Sequence, residues 1–158
     1  MAAMVRLALR INGADIQGNA GPAAGGTIEC VSYEQAATTS REYGAGMATG
    51  RREYSPLVIR KPIDRTSPLL WKALIENQIV EGTFYFLRPD PNGGSAQAYY
   101  SVHIGQARIA ALRQYLPEGA AYTAGGQPLE EVTFLFHTIA WHAAEGNLTQ
   151  EDTRNDEL

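Results

Sequence analysis

Alternation of apolar and polar residues predicts the first regular element of the chain. Over residues 4–11, Leu7 and Leu9 fall on one side of an extended segment, while Arg6 and Arg10 fall on the other. Side chains of a β-strand point to opposite faces in turn, so this pattern predicts a strand with one buried face.

Strand-like composition recurs along the chain, and it predicts about seven strands in all. Residues 132–141 carry apolar side chains on both faces, as in a strand covered on both sides. Residues 106–115 suit a helix as well as a strand, and Pro56 favours an edge or a bulge. Many short strands separated by glycine-rich turns predict a barrel or a sandwich. The other predicted strands are residues 27–35, 52–60, 83–88 and 96–104.

One helix is predicted, from residue 69 to about residue 77. Ser67 can cap it, and Pro68 suits its first turn. Only Lys72 and Glu76 are charged, one turn apart, and apolar side chains cover the rest. This pattern leaves two alternatives: a deeply buried core helix, or a helix that packs on its own sheet and also on a neighbouring subunit.

Two segments are predicted to lack regular structure. Residues 36–50 are small, polar and glycine-rich, and a loop of this length is usually functional or ordered by a partner. The end of the chain is polar and is expected to be loose. The prediction is therefore one domain over residues 1–147, followed by a flexible tail over residues 148–158.

Composition narrows the classes of function. A chain of 158 residues has the length of one domain, and a net charge of −4 does not fit a nucleic-acid binder. The single cysteine, Cys30, excludes an internal disulfide and a thiolate metal cluster. Charged residues make up 19% of the chain, which suggests that part of the surface is covered by something else. No apolar run approaches the ~20 residues of a membrane helix, so membrane insertion is not expected.

Candidate chemistry is sparse. His103, His137 and His142 have no cysteine or acidic residue at metal-ligand spacing, and no nucleophile motif accompanies them. Glu130 and Glu131 are neighbours near a predicted strand start, where we expect both to be solvated. The sequence therefore predicts no catalytic residues, no cofactor and no metal, and hence a protein that is not an enzyme.

Several motifs in order resemble one known family. Residues 63–70, Ile-Asp-Arg-Thr-Ser-Pro-Leu-Leu, resemble the signature that precedes the helix of the Hcp family, the haemolysin-coregulated, tube-forming proteins of type VI secretion. Residues 7–18 and 27–29 resemble the first two strands of that family, and residues 132–147 resemble its closing segment. The glycine-rich loop before residue 50 falls where the family has its extended loop.

The resemblance implies a fold, an assembly and partners. The fold is mainly β, a small β-barrel of two packed antiparallel sheets with one flanking α-helix. Six copies are expected to close into a ring, and rings to stack into a conduit that carries effector proteins in its lumen. The implied partners are further copies of the chain, effectors, and the spike, sheath and baseplate of the machine. Export from the cytoplasm without a signal peptide is also implied.

The resemblance and the position of each residue also supply candidate sites. Because the second strand of the family borders the channel, Ser32 and Glu34 are the expected lumen residues that contact effectors. Contacts between subunits or rings are expected from arginine, aromatic and apolar side chains in the long loop and the helix. These residues are Arg41, Tyr43, Met47, Arg51, Arg52, Trp71 and Leu74.

Two other functions remain open at the level of sequence. One is the tail-tube protein of a phage-like contractile particle, which shares the architecture. The other is a monomeric β-barrel that binds a small ligand on an aromatic platform, drawn from Tyr99, Tyr100, Trp71 or Trp141. A ligand-binding protein of this kind would remain monomeric and contain a defined pocket.

Overall fold

Twelve β-strands and one α-helix form the secondary structure of the computed structural model, which describes residues 4–20, 25–41, 48–118 and 126–154. In chain order, the elements are β1 (Val5–Ile11), β2 (Ala14–Asp15), β3 (Ile28–Cys30), β4 (Ser32–Glu34), β5 (Ala37–Arg41), β6 (Ala48–Tyr54), β7 (Leu57–Pro62), α1 (Ser67–Ile75), β8 (Val80–Arg88), β9 (Gln97–Tyr115), β10 (Leu129–Leu135), β11 (Thr138–Ala143) and β12 (Leu148–Thr153).

The strands form two antiparallel layers with a shared strand. In the first layer, β1 pairs with three strands, β2, β3 and β8. The layer then continues in the order β8, β9, β11 and β12, and β12 is its edge strand. In the second layer β4, β7, β10 and β9 lie side by side. Helix α1 flanks them and contacts β9. The mainly β fold of two packed antiparallel sheets with one flanking helix is thereby confirmed, whereas the strand order of the described residues does not close into the predicted barrel.

Strand β9 belongs to both layers because it turns sharply near its middle. Its first part pairs with β8 and β11, and its second part pairs with β10. Gln106, at the turn, has a positive φ of 46°. Gly105 lies opposite Thr138, and a Cβ at residue 105 would lie 2.5 Å from Thr138 Oγ1, so a larger residue there would require the Thr138 side chain to move. The segment that was ambiguous between helix and strand is therefore the second part of β9.

A second corner joins the layers at the segment predicted as one strand over residues 27–35. The structure divides it at Val31 into β3, which pairs with β1, and β4, which pairs with β7. The Val31 amide donates a hydrogen bond to the Arg60 carbonyl oxygen at 2.7 Å, so the chain stays attached to β7 as it changes partner.

The core lies between the layers and follows the predicted alternation. Leu7 and Leu9 of β1 are buried, whereas Arg10 is exposed. The run over residues 132–141 is two strands rather than one, because the chain turns at residues 136 and 137. There the amide of His137 donates to the Gly105 carbonyl oxygen, and the Phe136 ring is fully buried.

The described parts of two segments predicted to be irregular contain strands. Within residues 36–50, β5 pairs with β6, from Ala37 opposite Tyr54 to Arg41 opposite Ala48, and this hairpin forms a separate two-stranded sheet. The strand predicted over 52–60 is interrupted at Pro56, which has no amide hydrogen to donate. The first residues of the predicted loose tail form β12, which pairs with β11 along its whole length. In both cases the backbone of a polar segment is satisfied by a neighbouring strand.

Helix α1 begins differently from the prediction. Thr66 occupies the N-cap position without a side-chain cap, and Ser67 is the first helical residue, so Ser67 is not the cap. Pro68 lies in the first turn, as predicted. The helix is not a deeply buried core helix, because Leu69 and Ile75 are 42% and 74% exposed.

The Tyr33 side chain provides a test of the core. Its ring packs edge-on against Phe84 and Phe86, with centroids 5.2 and 5.0 Å away, and its hydroxyl is buried with no hydrogen-bond partner among the described residues. Burial raises the pKa of Tyr33. Because a buried unpaired hydroxyl costs free energy, we expect Tyr33→Phe to raise the free energy of unfolding by about 0.5–1 kcal/mol. Urea denaturation measures this change.

Tyr54→Phe is the matched comparison, since the Tyr54 hydroxyl does donate a hydrogen bond, to Asp152. We expect this change to lower the free energy of unfolding by about 1 kcal/mol. Equal losses of stability in the two variants would contradict the assignment of the Tyr33 hydroxyl as unpaired.

Candidate functional site

Ser32 and Glu34, the expected lumen residues, lie on the outer face of the second layer. Both are exposed, whereas Tyr33 between them turns toward the core. Ser32 lies opposite Arg60 of β7, so the row on this face continues from β4 onto the next strand.

Beyond Arg60, the row contains Glu131 of β10 and Arg113 of β9, opposite each other in register. Arg60 Nε and Arg113 Nη2 donate to the same oxygen, Oε2, of Glu131 at 3.1 and 3.3 Å. Hydrogen bonds from Arg60 and then Arg113 lower the pKa of Glu131. The Arg113 guanidinium also lies 4.1 Å from the centroid of the Tyr115 ring. Sequence reasoning missed this row because strand register brings its members together from distant segments.

Three of the residues predicted to make contacts from the long loop, Arg41, Arg51 and Arg52, fall on the β5–β6 hairpin. Arg41 and Arg51 lie within its strands, and the structure describes their backbone but not their side chains. Tyr43 and Met47 lie outside the described residues. Arg52 is described in full, and its side chain binds within the chain.

Arg52 reaches the last strand, β12. Its Nε and Nη2 donate to the two carboxylate oxygens of Asp152, with 2.6 Å between Nη2 and Oδ1, and Nη2 also donates to the Thr153 carbonyl oxygen at 3.1 Å. The Tyr54 hydroxyl donates to the same carboxylate. Hydrogen bonding from Arg52 lowers the pKa of Asp152, while burial raises the pKa of Tyr54. We call Arg52, Tyr54 and Asp152 the clasp.

Aromatic packing supports the clasp. The Tyr54 ring lies 5.3 Å from Phe136 and 6.4 Å from Trp141, measured between centroids. Trp141 Nε1 donates to Gln35 Oε1 at 3.1 Å, just before the hairpin begins. The base of the hairpin is thus held on β11 and β12 by both polar and aromatic contacts.

The outward side of α1 combines charge with exposed apolar residues. Leu69 and Ile75 lie on either side of Lys72 at helical spacings of three, and all three are exposed. Trp71 and Leu74, the residues predicted to contact another subunit, are half-buried, and Leu74 packs against the core. An apolar side chain at 74% exposure, as at Ile75, is available for contact with another molecule.

A buried polar cluster lies beneath the start of α1. Lys61 Nζ lies 2.8 Å from Glu130 Oε2 and 3.1 Å from Asp64 Oδ1, and the Lys61 and Glu130 side chains are both fully buried. Ser67 Oγ and Gln114 Nε2 donate to Glu130 at 2.8 and 2.9 Å. The prediction that Glu130 is solvated is therefore wrong.

The cluster explains the motif at residues 63–70. Ser67 Oγ accepts a hydrogen bond from the Asp64 amide at 3.0 Å, and Asp64 Oδ1 accepts one from the Thr66 amide at 2.8 Å. These bonds turn the chain from β7 into α1 and direct Ser67 toward Glu130. The role of the motif in this structure is to fix where the helix starts.

The histidines contact local partners. His103 Nδ1 lies 2.8 Å from Thr83 Oγ1, and His103 Nε2 lies 3.2 Å from Glu81 Oε1. His142 Nδ1 lies 2.9 Å from Thr149 Oγ1. Among the residues that the structure describes, no group of three or more His, Cys, Asp or Glu side chains is placed to hold a metal ion. Burial raises the pKa of the Cys30 thiol to about 12.

The aromatic residues expected as a ligand platform are absent from the lining of two clefts in the described part of the chain. One of these clefts contains Arg10 and His103, and the other contains Ile79 and Arg108. The four candidates Tyr99, Tyr100, Trp71 and Trp141 line neither. Over the same residues, no helix is long and apolar enough to cross a membrane.

Comparisons with known proteins agree on one relationship. The family model described as "Type VI secretion system effector, Hcp" matches residues 9–142. The "Major exported protein" of Pseudomonas aeruginosa is 29% identical over 121 residues, which are 73% of this chain and 68% of that protein.

Solved structures show the same architecture. The Hcp1 protein from the E. coli EAEC 042 pathovar has a TM-score of 0.83 and 25% identity, with 96% of this chain and 99% of that one covered. The secreted protein Hcp3 from Pseudomonas aeruginosa has a TM-score of 0.72 and 17% identity over 96% of this chain and 99% of that one. The second likeness concerns the fold alone.

Proposed function

Because the chain belongs to the Hcp family of type VI secretion, we propose that it is a structural subunit of the secretion tube that forms hexameric rings. The rings stack into a conduit, and effector proteins travel in its lumen. The subunit performs no chemical conversion in this role. Family membership favours the secretion tube over the tail tube of a phage-like particle, the related assembly that the sequence left open.

The exposed apolar side of α1 is the observation that carries the proposal. Leu69 and Ile75 are exposed in the single chain although they lie on a helix that is packed on its own sheet. Burial of such side chains against a second copy removes apolar surface from water, and this favours association. Trp71, half-buried on the same helix, contributes to the same contact, while Leu74 supports it from the core side.

Stacking of rings is assigned to the β5–β6 hairpin. The hairpin is a two-stranded sheet separate from both layers. We assign contacts with the next ring to Arg41, Tyr43, Met47 and Arg51. A contact between rings repeats head to tail, and it therefore extends into a tube.

The outer face of the second layer is assigned to the lumen. Ser32 and Glu34 lie on this face, and the row continues through Arg60, Glu131 and Arg113. A wall of short and paired charged side chains leaves the bore open and provides hydrogen-bonding groups for polar cargo.

Export of the protein follows from the same assignment. The Pseudomonas aeruginosa relative is a "Major exported protein", and a tube that is expelled by the secretion machine carries its subunits out of the cytoplasm. The partners of the subunit are then further copies of itself, effectors, and the spike, sheath and baseplate.

Negative-stain electron microscopy of the purified protein tests the proposal. We expect six-fold rings with a central hole, and stacks of them at high concentration. Particles without a hole, together with a monomeric mass by light scattering, would contradict the assignment to a tube.

A variant of the lumen face separates cargo binding from assembly. We expect Glu34→Lys to leave the rings intact, because Glu34 is exposed on β4, which lies three strands from β9, the strand that α1 contacts. Retention of a co-purifying effector is expected to fall about tenfold, since a charge reversal places like or unpaired charges against the bound cargo. Co-purification of a co-expressed effector with tagged rings measures this loss.

The control for this experiment is Glu118→Lys, an exposed charge reversal outside the strands. Equal effector retention by wild type and Glu34→Lys would remove Glu34 from the lumen. Loss of rings in the same variant would place the residue at a contact between subunits.

A further inference from the structure

The β5–β6 hairpin is attached to the rest of the molecule mainly through its base. In the described part of the chain, its strands pair only with each other and not with either layer. Backbone hydrogen bonds between strands therefore do not fix the orientation of the hairpin relative to the two layers, although they fix the relative orientation of the other strands. Side chains at the base must supply the orientation.

The clasp supplies such contacts. Arg52 and Tyr54 lie near the end of β6, and both donate to the carboxylate of Asp152. When a guanidinium binds both oxygens of a carboxylate, the relative orientation of the two groups is fixed as well as the distance between them, because both groups are planar. The additional bond from Arg52 Nη2 to the Thr153 carbonyl oxygen holds the guanidinium against the backbone of β12.

Asp152 lies on the last strand of the first layer. β12 pairs with β11 on one side and forms the edge of the layer, and Asp152 is in register with the buried Ile139 of β11. The Tyr54 ring also packs against Phe136, between β10 and β11, and against Trp141 of β11. These contacts hold β6 against the part of the first layer that adjoins β12. Two parts of the chain that lie about 100 residues apart in sequence, the end of β6 and β12, thus meet at one carboxylate.

We infer that Arg52, Tyr54 and Asp152 are positioning residues that hold the hairpin in the direction needed for contact with a second copy of the chain in the next ring. The inference rests on the proposed function, because it takes the hairpin as the element that joins rings. Arg52 acts through Asp152 in this account and not by direct contact, since its Nε and Nη2 donors are already bound within the chain. The last strand thereby affects stacking without lying in the stacking contact.

The experiment compares Asp152→Asn with Glu151→Gln in the full chain. Both variants remove one negative charge from β12, but the Glu151 side chain is exposed and lies outside the clasp. We expect Asp152→Asn to speed amide exchange in residues 37–41 and 48–54 by roughly tenfold, with exchange in β1, β8 and β9 unchanged. The fraction of stacked rings is expected to fall, while single rings persist. Glu151→Gln is expected to match wild type in both measurements.

A charge exchange adds a readout that a purely structural role would not give. Asp152→Arg alone places two guanidiniums together and is expected to abolish stacking, whereas the double variant Arg52→Asp with Asp152→Arg restores an ion pair and regains part of it. Raising the salt concentration is expected to weaken stacking in wild type more than in Asp152→Asn, because an exposed ion pair is screened.

The outcomes distinguish the inference from the proposed function. If the wild-type protein forms no rings, the proposed function fails, while the exchange rates still decide whether the clasp orders the hairpin. If wild-type rings stack and Asp152→Asn changes neither exchange nor stacking, the inference is overturned. Faster amide exchange in the hairpin with normal stacking of rings also overturns the inference. That result would show that stacking does not depend on how firmly the clasp holds the hairpin.

Discussion

Replacement of Lys61 by methionine should lower the free energy of unfolding by about 3–5 kcal/mol, the largest loss we expect from a single substitution in this chain. Lys61 Nζ contacts the carboxylates of Glu130 and Asp64, and it also donates to the Pro62 carbonyl oxygen at 2.8 Å. Without the ammonium group, two carboxylates remain close together in a site that water does not reach. Urea denaturation followed by circular dichroism measures the loss.

The neighbouring residue on β7 is the control. Arg60 pairs with Glu131 on the outer face, where the arginine side chain is 48% exposed, so Arg60→Met should cost less than about 1 kcal/mol. Because the two variants remove adjacent cations of the same strand, the difference between them isolates the effect of burial. Similar losses of stability for Lys61→Met and Arg60→Met would contradict the central role of the buried pair.

Ile75→Asp should abolish ring formation while the folded subunit remains stable. The side chain is 74% exposed, so a carboxylate there is solvated in the single chain. In a contact between copies, the same carboxylate would be buried without a partner, and we expect association to weaken by at least about a hundredfold. Light scattering with size-exclusion chromatography should report monomers where wild type gives rings, and circular dichroism should report an unchanged fold.

Two variants show whether the loss of rings comes from the contact itself. Ile75→Leu keeps an apolar side chain at the same position and should retain rings. Leu74→Asp is a poorer probe, because Leu74 packs against the core and a charge there should also destabilise the subunit. Rings that persist in Ile75→Asp would show that α1 lies outside the contact between subunits.

Local patterns were sufficient for the parts of the fold that depend on local chemistry. Alternation placed β1 within one residue of its observed start, and the proline at residue 68 placed the first turn of α1. The motif at residues 63–70 identified the family before its structural role was visible. That role depends on Glu130, which comes to Ser67 from 63 residues further along the chain.

The sequence did not predict which strands pair or in which register they do so. Glu130 and Glu131 look alike as neighbours in a polar dipeptide, yet one is buried against Lys61 and the other lies on the surface against Arg60. The alternation of side chains along β10 puts Glu130 on the same face as the buried Val132 and Phe134, and Glu131 on the opposite face, whereas only the pairing with β7 brings Lys61 and Arg60 to them. The strands β5 and β12 and the first part of β6 were missed for a related reason, since their polar composition reveals little until a partner strand satisfies the backbone.

The corner in β9 affects how the subunit responds to mechanical load. One unbroken backbone passes from the first layer to the second at Gly105 and Gln106, so the two layers are joined there by covalent bonds as well as by packing. We therefore expect a force applied to one layer to be transmitted along this strand to the other layer. In the proposed tube, this continuity keeps the two layers of each subunit together when neighbouring subunits press on it.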